Sequence, residues 1–328
     1  MRCSRSLSHL KSREGRRVLL GQSGKLAFHG IRAVFLCAMC FVILYPILYM
    51  VSLSFRESRD LLDPTVIWIP KHWTLDNYRA VIETLKYGRL LTETVLISGI
   101  STVLNVGICS VIGYGFARFR FKGRALLFGL VIFTIIVPSQ CIAIPLFVQY
   151  YSFDFLGLGQ IGRLFTGVPF TVNLLNTHLT FYLPAAFGMG IRSGLFIYIF
   201  RQFFRGMPIE LEDAAYIDGC GIFPTFLRIM VPNAGAAFIS CVLFSLAWYW
   251  NDYYLGTLFF DRAPTLSVAL GGSQSALLSM GTNAASDPYA MVSRLQAGCV
   301  LLILPMVLVF MLFQRRFTES VDKTGIVG

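Results

Sequence analysis

Three short patterns in the 328-residue sequence contain residue types that bind nucleotides or metals. Residues 157–162 match G-x-G-x-x-G, but no βαβ unit surrounds them to place a pyrophosphate on a helix N-terminus. Residues 21–25, GQSGK, lack the spacing and the final Ser or Thr of a Walker A loop, and Cys37 and Cys40 have no second ligand pair. The histidines are isolated from one another and from carboxylate pairs: His9, His29, His72 and His178. The sequence therefore predicts no metal site and no catalytic residue, and any ATP must be bound by another chain.

A compact acidic segment, Glu210–Gly219, contrasts with the formal net charge of +11. Its sequence, ELEDAAYIDG, holds four acids and no base. Pro208 suits the first helical position, the early carboxylates favour the positive end of the helix dipole, and Gly219 can adopt the left-handed conformation that ends a helix. These signals predict a helix of about ten residues. Pro224 is then expected to begin a second short helix, and Pro232 to stop it.

The surface of the first acidic helix favours docking on a protein. Helices that lie flat on membranes usually carry Lys and Arg toward anionic lipid, whereas no base occurs between Arg205 and Arg228. Small and apolar side chains would let another backbone approach closely: Leu211, Ala214, Ala215 and Ile217. We therefore expect this helix to bind a basic or mixed protein surface in preference to bare lipid.

The composition assigns the chain to the integral membrane proteins. Hydrophobic residues make up 55% of it and charged residues 14%, which leaves too little polar surface for a soluble domain of this size. Six apolar segments are each long enough to cross a hydrocarbon core of about 30 Å as a helix. They are approximately Ala33–Leu53, Leu96–Phe116, Ala125–Phe147, Phe181–Phe200, Ala236–Phe259 and Ala297–Phe313. The sequence thus predicts an all-α integral membrane fold with six transmembrane helices and a single transmembrane domain over residues 33–328.

Basic residues predict the orientation of these helices. Residues 1–32 contain eight bases and one acid, the loop after the second span contains four bases, and Arg315 and Arg316 follow the sixth span. Short loops rich in Lys and Arg face the cytoplasm, so both termini and residues 205–232 are expected there, with residues 1–32 as a basic cytoplasmic segment. The positive charge is thereby explained as a topology signal, and no nucleic-acid partner is predicted.

The acidic segment and its surroundings resemble a known family. The run PIELEDAAYIDG, Pro208–Gly219, followed by Phe226, Arg228 and Pro232, resembles the "EAA" loop of permease subunits of bacterial ATP-binding-cassette importers. Three further runs are similar to the sugar-importing branch, in particular its shorter, six-span, maltose-type subunit: Trp68–Tyr78, Arg201–Pro208 and Trp250–Asp252. The chain departs from the family pattern at three positions, with Asp213 for Glu, Cys220 for Ala and Val231 for Leu.

The resemblance implies a type I importer permease fold in the bacterial plasma membrane. It also implies a second permease, favoured to be a different chain, an ABC ATPase dimer that binds ATP and Mg in the cytoplasm, and an extracytoplasmic binding protein that delivers a sugar. This chain would bind no cofactor and catalyse no reaction. In the family the loop inserts into a cleft of the ATPase, and the matching residues here are Glu210, Glu212, Asp213, Ala214, Ala215, Asp218, Gly219, Phe226, Arg228 and Pro232.

Candidates for the translocation pathway lie in or beside the fourth and fifth spans: Arg192, Trp250, Asn251 and Asp252. A charge within a span is costly and usually faces a cavity or a partner, so Arg192 could contact sugar hydroxyls or a carboxylate in the pathway. The alternatives are that it belongs to a structural pair or that it lies at a span boundary. Aromatic rings and amides also suit sugars, although an aromatic belt at the membrane boundary explains the aromatic residues better.

Three alternatives to a sugar permease remain open at this point. The chain could be an ABC permease for a non-sugar solute. An ion-coupled secondary transporter would need carboxylates within the membrane, whereas Glu93 and Asp252 lie near the ends of predicted spans. A membrane enzyme would need a cluster of His, Asp or Glu at one membrane depth, and the sequence shows no such cluster.

Overall fold

The computed structural model describes residues 13–154, 159, 171–279 and 288–324, and helices dominate these residues. Within the described ranges, β pairing is limited to two isolated antiparallel bridges, Arg56–Trp73 and Phe153–Val172. The α-helices are α1 Arg13–Ser54, α2 Ser58–Leu62, α3 Asp76–Leu85, α4 Tyr87–Arg118, α5 Arg124–Ile136, α6 Ser139–Tyr151, α7 Leu179–Ala186, α8 Ser193–Gly206, α9 Glu210–Ile217, α10 Ile222–Thr225, α11 Val231–Asn233, α12 Gly235–Trp250, α13 Tyr254–Phe259, α14 Leu266–Ser279 and α15 Pro288–Thr324.

Helix α4 is the centre of the packing. It contacts α7, α8 and α12, and apolar and polar residues on the same helix are buried. Its buried residues include Ile97, Asn105, Val106, Cys109, Gly113 and Tyr114. Gly113 brings α4 and α8 close together, because a β-carbon at this position would lie 2.6 Å from Phe200 Cβ and 3.0 Å from Arg201 N. A glycine is therefore required where the two helices cross.

Replacing Gly113 with leucine is expected to separate α4 from α8 and to lower the free energy of unfolding by about 1–3 kcal/mol, the usual cost of overpacking. A β-carbon at Gly107, on the same helix, would meet no atom within 4 Å, so Gly107→Leu is the matched control. Thermal unfolding of the purified protein in detergent measures both. Equal unfolding temperatures for the two variants would contradict the assigned close approach.

Among the described residues, three helices are individually long and apolar enough to cross a membrane: Phe28–Ser54 within α1, α4, and Tyr289–Gln314 within α15. They contain the first, second and sixth spans expected from the sequence. Two bent helix pairs raise the number to at most five among the described residues, if each pair is one span. These pairs are α5 with Gln140–Tyr151, bent by 102°, and Ile222–Asn233 with α12, bent by 80°.

The third predicted span, Ala125–Phe147, is not one continuous helix. Helix α5 ends at Ile136, and Val137 adopts an extended conformation with φ −69° and ψ 121°. Pro138 explains this break, since the residue before a proline is driven out of the helical region and the proline has no N–H to donate. The break at Pro138 divides the span into α5 and α6.

The fourth predicted span, Phe181–Phe200, is also divided, between α7 and α8. Gly188 and Arg192 both have positive φ, 71° and 59°, which no helix can accommodate. Two side chains satisfy the freed backbone groups of Ile191. Asn105 Nδ2 donates to the Ile191 carbonyl at 3.0 Å, and the Ile191 N–H donates to the Tyr249 hydroxyl at 3.1 Å. A break inside an apolar region is tolerated when neighbouring helices supply such partners.

The fifth predicted span, Ala236–Phe259, ends early as a helix. Helix α12 stops at Trp250, and α13 begins only at Tyr254. The Asp252 carboxylate, two residues before this second helix, accepts the backbone N–H groups of Leu255 and Gly256 in its first turn, at 3.4 and 2.9 Å. A carboxylate at this position favours a helix start over continuation of α12.

Candidate coupling site at residues 205–232

Helix α9 begins at Glu210, two residues later than the sequence predicts. The carbonyl of Ile209 accepts the N–H groups of Glu212 and Asp213 at 2.9 and 3.1 Å, so Ile209 is the N-cap and Pro208 precedes the helix. The prediction that Pro208 is the first helical residue is therefore wrong. Its ring instead lies in the link from α8, where its carbonyl and that of Met207 face Arg118.

The end of α9 follows the prediction. Gly219 has a φ of 81°, in the left-handed region that favours glycine. The N–H of Cys220 donates to the Ala215 carbonyl at 2.9 Å, and that of Gly219 donates to the Tyr216 carbonyl at 3.1 Å. These two bonds form a Schellman motif, which satisfies carbonyls left free at the helix end. The predicted role of Gly219 as a helix terminator is confirmed.

The second segment does not stop at Pro232. Helix α10 leads into a π-helical turn, Phe226–Met230, and then into α11, which contains Pro232. The N–H of Val231 donates to the carbonyl of Phe226, five residues back, so the chain has already left α-helical register before the proline. The missing N–H of Pro232 is therefore accommodated, and the chain turns at Ala234 instead.

An ion pair joins α9 to the end of α4. Arg118 Nε lies 3.2 Å from Glu212 Oε2, and the two side chains are only 11% and 5% exposed. Arg118 Nη2 also donates to the carbonyl of Met207 at 2.9 Å. The cation stands in the last turn of α4 and the carboxylate in the first turn of α9, where the dipole of each helix stabilises the charge it carries. Glu212 thus faces the protein and not a partner.

Aromatic side chains pack the second segment, Ile222–Asn233, against α4 and α8. The Phe226 ring lies 5.0 Å from that of Tyr114 on α4 and 6.0 Å from that of Phe204 on α8, measured between centroids. Tyr114 and Phe204 are themselves 5.5 Å apart in an edge-to-face contact. Such pairs add to the stabilisation from apolar burial. Phe226, predicted as part of the coupling loop, is therefore the residue that fixes the loop to α4 and α8.

The remaining side chains of the two segments form an outward surface, which we call the coupling face. The predicted residues on it are exposed: Glu210, Asp213, Ala214, Asp218, Arg228 and Pro232. Ala215, by contrast, is buried inside the chain, so the alanine pair is divided between the two sides of α9. The face also exposes large apolar side chains, namely Ile209, Ile217, Ile222, Phe223 and Leu227. It is thus a mixed acidic and apolar surface.

The four predicted pathway residues lie apart from the coupling face. Arg192 follows the break between α7 and α8, and Trp250, Asn251 and Asp252 lie at the break between α12 and α13. Arg192 is exposed and its guanidinium lies 5.7 Å from the Trp248 ring centre. Trp250 is buried, and its indole N–H donates to the Leu302 carbonyl at 3.0 Å. Asn251 Nδ2 donates to the Ala247 carbonyl at 2.9 Å, and Asp252 caps α13. These contacts give Trp250 and Asp252 structural partners, and a pathway role for the four stays a prediction.

The glycine pattern at residues 157–162 lies outside the described residues, except for Gly159. The N–H of Gly159 donates to Asp154 Oδ1 at 2.7 Å.

Comparison with known proteins identifies the family. The model of the family described as "binding-protein-dependent transport system inner membrane component" matches residues 109–323, a stretch that contains the whole coupling site. The chain belongs to this family. It is accordingly an inner membrane component of a binding-protein-dependent transport system, and its apolar helices fit that location.

Several curated relatives of this transport component share most of its length. It is 29% identical to the arabinooligosaccharides transport system permease protein AraQ of Halalkalibacterium halodurans, over 88% of this chain and 93% of that one. It is 27% identical to the trehalose transport system permease protein SugB of Mycobacterium tuberculosis, over 87% and 93%. A crystal structure of a bacterial ABC transporter that imports the acidic polysaccharide alginate matches with a TM-score of 0.67 and 18% identity, over 90% of this chain and 98% of that one, which shows the shared type I importer permease fold.

Substituting Gly219 in this transport component is expected to act through backbone conformation alone. A β-carbon at Gly219 meets no atom within 4 Å, so Gly219→Ala should cost about 1 kcal/mol from left-handed strain and Gly219→Val more. Asparagine tolerates this conformation, so Gly219→Asn is the control. The ratio of solute transported to ATP hydrolysed in proteoliposomes should be highest for Gly219→Asn, lower for Gly219→Ala and lowest for Gly219→Val. A valine variant with the wild-type ratio would show that the turn has no part in coupling.

Proposed function

We propose that this chain is the permease subunit of a bacterial ATP-driven sugar importer, and that residues 205–232 couple it to a cytoplasmic ATPase. The observation that carries the proposal is the coupling face, an exposed acidic and apolar surface backed by buried contacts to the core of the membrane region. An exposed apolar patch with a polar rim is typical of a protein–protein interface.

The contacts beneath the coupling face supply two routes by which its displacement can reach the membrane helices. Through Glu212 and Arg118, α9 is joined to α4. Through Phe226, the π-helical turn is joined to α4 and to α8. Because α4 is at the centre of the helix packing, a shift of the face moves the helices that surround it. This is the expected arrangement for alternating access, in which the ATPase pair closes and the helices change from inward-facing to outward-facing.

The proposed assembly has three further components. A cytoplasmic ABC ATPase dimer would bind ATP and Mg, a second permease chain would complete the pathway, and an extracytoplasmic binding protein would deliver the solute. This chain would itself bind no cofactor and hydrolyse no ATP. Its coupling face would lie in the cytoplasm with both termini, as the basic residues of the loops predict.

A sugar is the proposed solute. The relatives named above carry arabinooligosaccharides and trehalose according to their names. The common chemistry is a polyol with apolar ring faces. A permease for a non-sugar solute is the alternative within the same family.

Purification from native membranes in mild detergent tests the assembly. We expect an ATPase, a second permease and a solute-binding protein to co-elute with this chain, and sugar ligands to stabilise the binding protein. The isolated chain should show no ATPase activity, and the reconstituted complex should take up sugar only when ATP is present. Uptake that persists after ATP depletion and collapses with an ionophore would instead establish an ion-coupled transporter.

A further inference from the structure

Helix α15 carries a proline inside its membrane span, Tyr289–Gln314. In an α-helix each carbonyl accepts the N–H of the residue four positions later, so the Leu301 carbonyl would accept from residue 305. Residue 305 is Pro305, which has no N–H to donate. An unpaired carbonyl in an apolar region is costly, because no water is present there to donate to it. A side chain of another helix is therefore expected to donate to Leu301.

A tyrosine of α4 supplies this donor. Tyr87 is the first residue of α4, and its hydroxyl donates to the Leu301 carbonyl at 3.0 Å. The hydroxyl thus takes the place of the N–H that Pro305 lacks. Because the two residues are far apart in the sequence, this hydrogen bond fixes α15 to the start of α4.

A tryptophan of α12 donates to the next carbonyl of α15. Trp250 is the last residue of α12, it is buried, and its indole nitrogen donates to the Leu302 carbonyl at 3.0 Å. A carbonyl oxygen has two lone pairs, so Leu302 can accept this bond in addition to one within α15. One turn of α15 is thereby held by side chains of two other helices.

Both helices that hold this turn are connected to the coupling site at their other ends. Arg118, in the last turn of α4, pairs with Glu212 of α9. Helix α12 follows the segment Ile222–Asn233 at the 80° bend. Tyr87 and Trp250 stand at the opposite ends of α4 and α12, about 48 and 24 Å away along helices of 32 and 16 residues. A displacement that enters either helix at the coupling site can therefore reach α15 through one of these hydrogen bonds.

We propose that Tyr87 and Trp250 are positioning residues for transport, which make α15 follow α4 and α12 when the coupling face moves. We call Tyr87, Trp250, Leu301, Leu302 and Pro305 the α15 clasp. Pro305 is essential to it, because a helix without a proline would use the Leu301 carbonyl for its own hydrogen bonding. No water competes for these donors in an apolar region, so the bonds can persist while the helices move. The inference rests on the proposed coupling function, because it assigns a further part of the route from the ATPase to the membrane helices.

Hydrogen exchange of the α15 amides tests the clasp in the purified complex, in detergent and without ATP. Tyr87→Phe removes only the hydroxyl, and Trp250→Phe keeps an aromatic ring without the indole N–H. Because a carbonyl then loses its donor in an apolar region, local opening of α15 around Pro305 should increase about tenfold in each variant. Trp248→Phe makes the same change on α12 two residues away, in a ring that packs on Phe196, and should leave this exchange unchanged.

Restoring the missing N–H provides a sharper test of the tyrosine. Pro305→Ala returns an N–H to residue 305, which should then bond to the Leu301 carbonyl within α15. In this background Tyr87→Phe should no longer increase the exchange, whereas Trp250→Phe should still do so. An equal increase from Tyr87→Phe with and without Pro305→Ala would show that the hydroxyl does not replace the missing N–H, and would overturn the clasp.

Proteoliposomes separate a positioning role from a purely structural one. Tyr87→Phe and Trp250→Phe should both lower the amount of solute transported per ATP hydrolysed, while ATP hydrolysis by the complex continues. Unchanged exchange in both variants, an unchanged ratio in both, or a parallel loss of transport and hydrolysis would overturn the inference. If Trp250→Phe fails to fold, Tyr87→Phe decides the result. The exchange measurements need no ATP, so the clasp can fail in a working ATP-driven importer, whereas wild-type uptake without ATP would overturn the proposed function separately.

Discussion

Glu212→Gln is expected to detach α9 from α4 and to weaken the coupling of transport to ATP hydrolysis severely. The substitution keeps the shape of the side chain but leaves the charge of Arg118 buried and unpaired, which costs about 3–5 kcal/mol for an enclosed ion pair. Local opening of α9 should therefore increase by at least about a hundredfold. Hydrogen exchange of the α9 amides measures the opening, and proteoliposomes measure sugar transported per ATP hydrolysed.

Three variants separate the ion pair from general damage to the loop. Asp213→Asn removes the neighbouring exposed carboxylate and should raise exchange within α9 by no more than about fivefold, the loss of one interaction with the helix dipole. The double variant Glu212→Gln with Arg118→Gln removes the unpaired charge and should recover part of the loss, because the two side chains interact directly. Arg118→Gln alone should resemble Glu212→Gln. Additive effects of the two single substitutions would show that the ion pair does not connect α9 to α4.

Phe223→Ser is expected to weaken docking of the ATPase strongly while leaving the permease folded. Phe223 is 64% exposed on the coupling face, so its removal disturbs little within the chain. A large aromatic residue at the centre of an interface typically contributes about 2 kcal/mol or more, so affinity for the ATPase should fall by about thirtyfold or more. Pull-down of the ATPase by the immobilised permease measures the affinity, and thermal unfolding confirms the fold.

The controls for Phe223→Ser test both chemistry and location. Phe223→Leu keeps an apolar side chain and should retain most of the affinity. Ile69→Ser removes a similarly accessible apolar residue, 74% exposed, from the link between α2 and α3, and should not change ATPase binding. If Phe223→Ser binds the ATPase as tightly as the wild type does, the coupling face is not the docking surface.

The sequence predicts those parts of the coupling site that depend on local backbone chemistry. Gly219 ends α9 in the left-handed conformation, because only a residue without a β-carbon adopts it cheaply. Pro138 breaks the third span for an equally local reason. The start of α9 at Glu210 and not at Pro208 shows the usual uncertainty of a helix boundary.

Tertiary contacts determine the features that the sequence does not reveal. Four acids in ten residues look alike in the sequence, yet Glu212 alone is buried, because Arg118 ends α4 directly beneath it. In the sequence, Arg118 is only one of the four bases after the second span that indicate the orientation of the helices. The break before Arg192 depends on Asn105 and Tyr249, which belong to other helices and supply the hydrogen bonds that a broken span needs. Pro232 fails to stop its helix because the π-helical turn before it changes the bonding register.

The 80° bend at Ala234 determines the kind of motion that the permease can receive. The segment Ile222–Asn233 meets α12 almost at a right angle, and the cosine of 80° is about 0.17, so only about a sixth of any displacement along the segment is directed along the axis of α12. The rest of that displacement is directed across the axis of α12. Displacement along the segment is therefore expected to tilt α12 more than it moves that helix along its own axis.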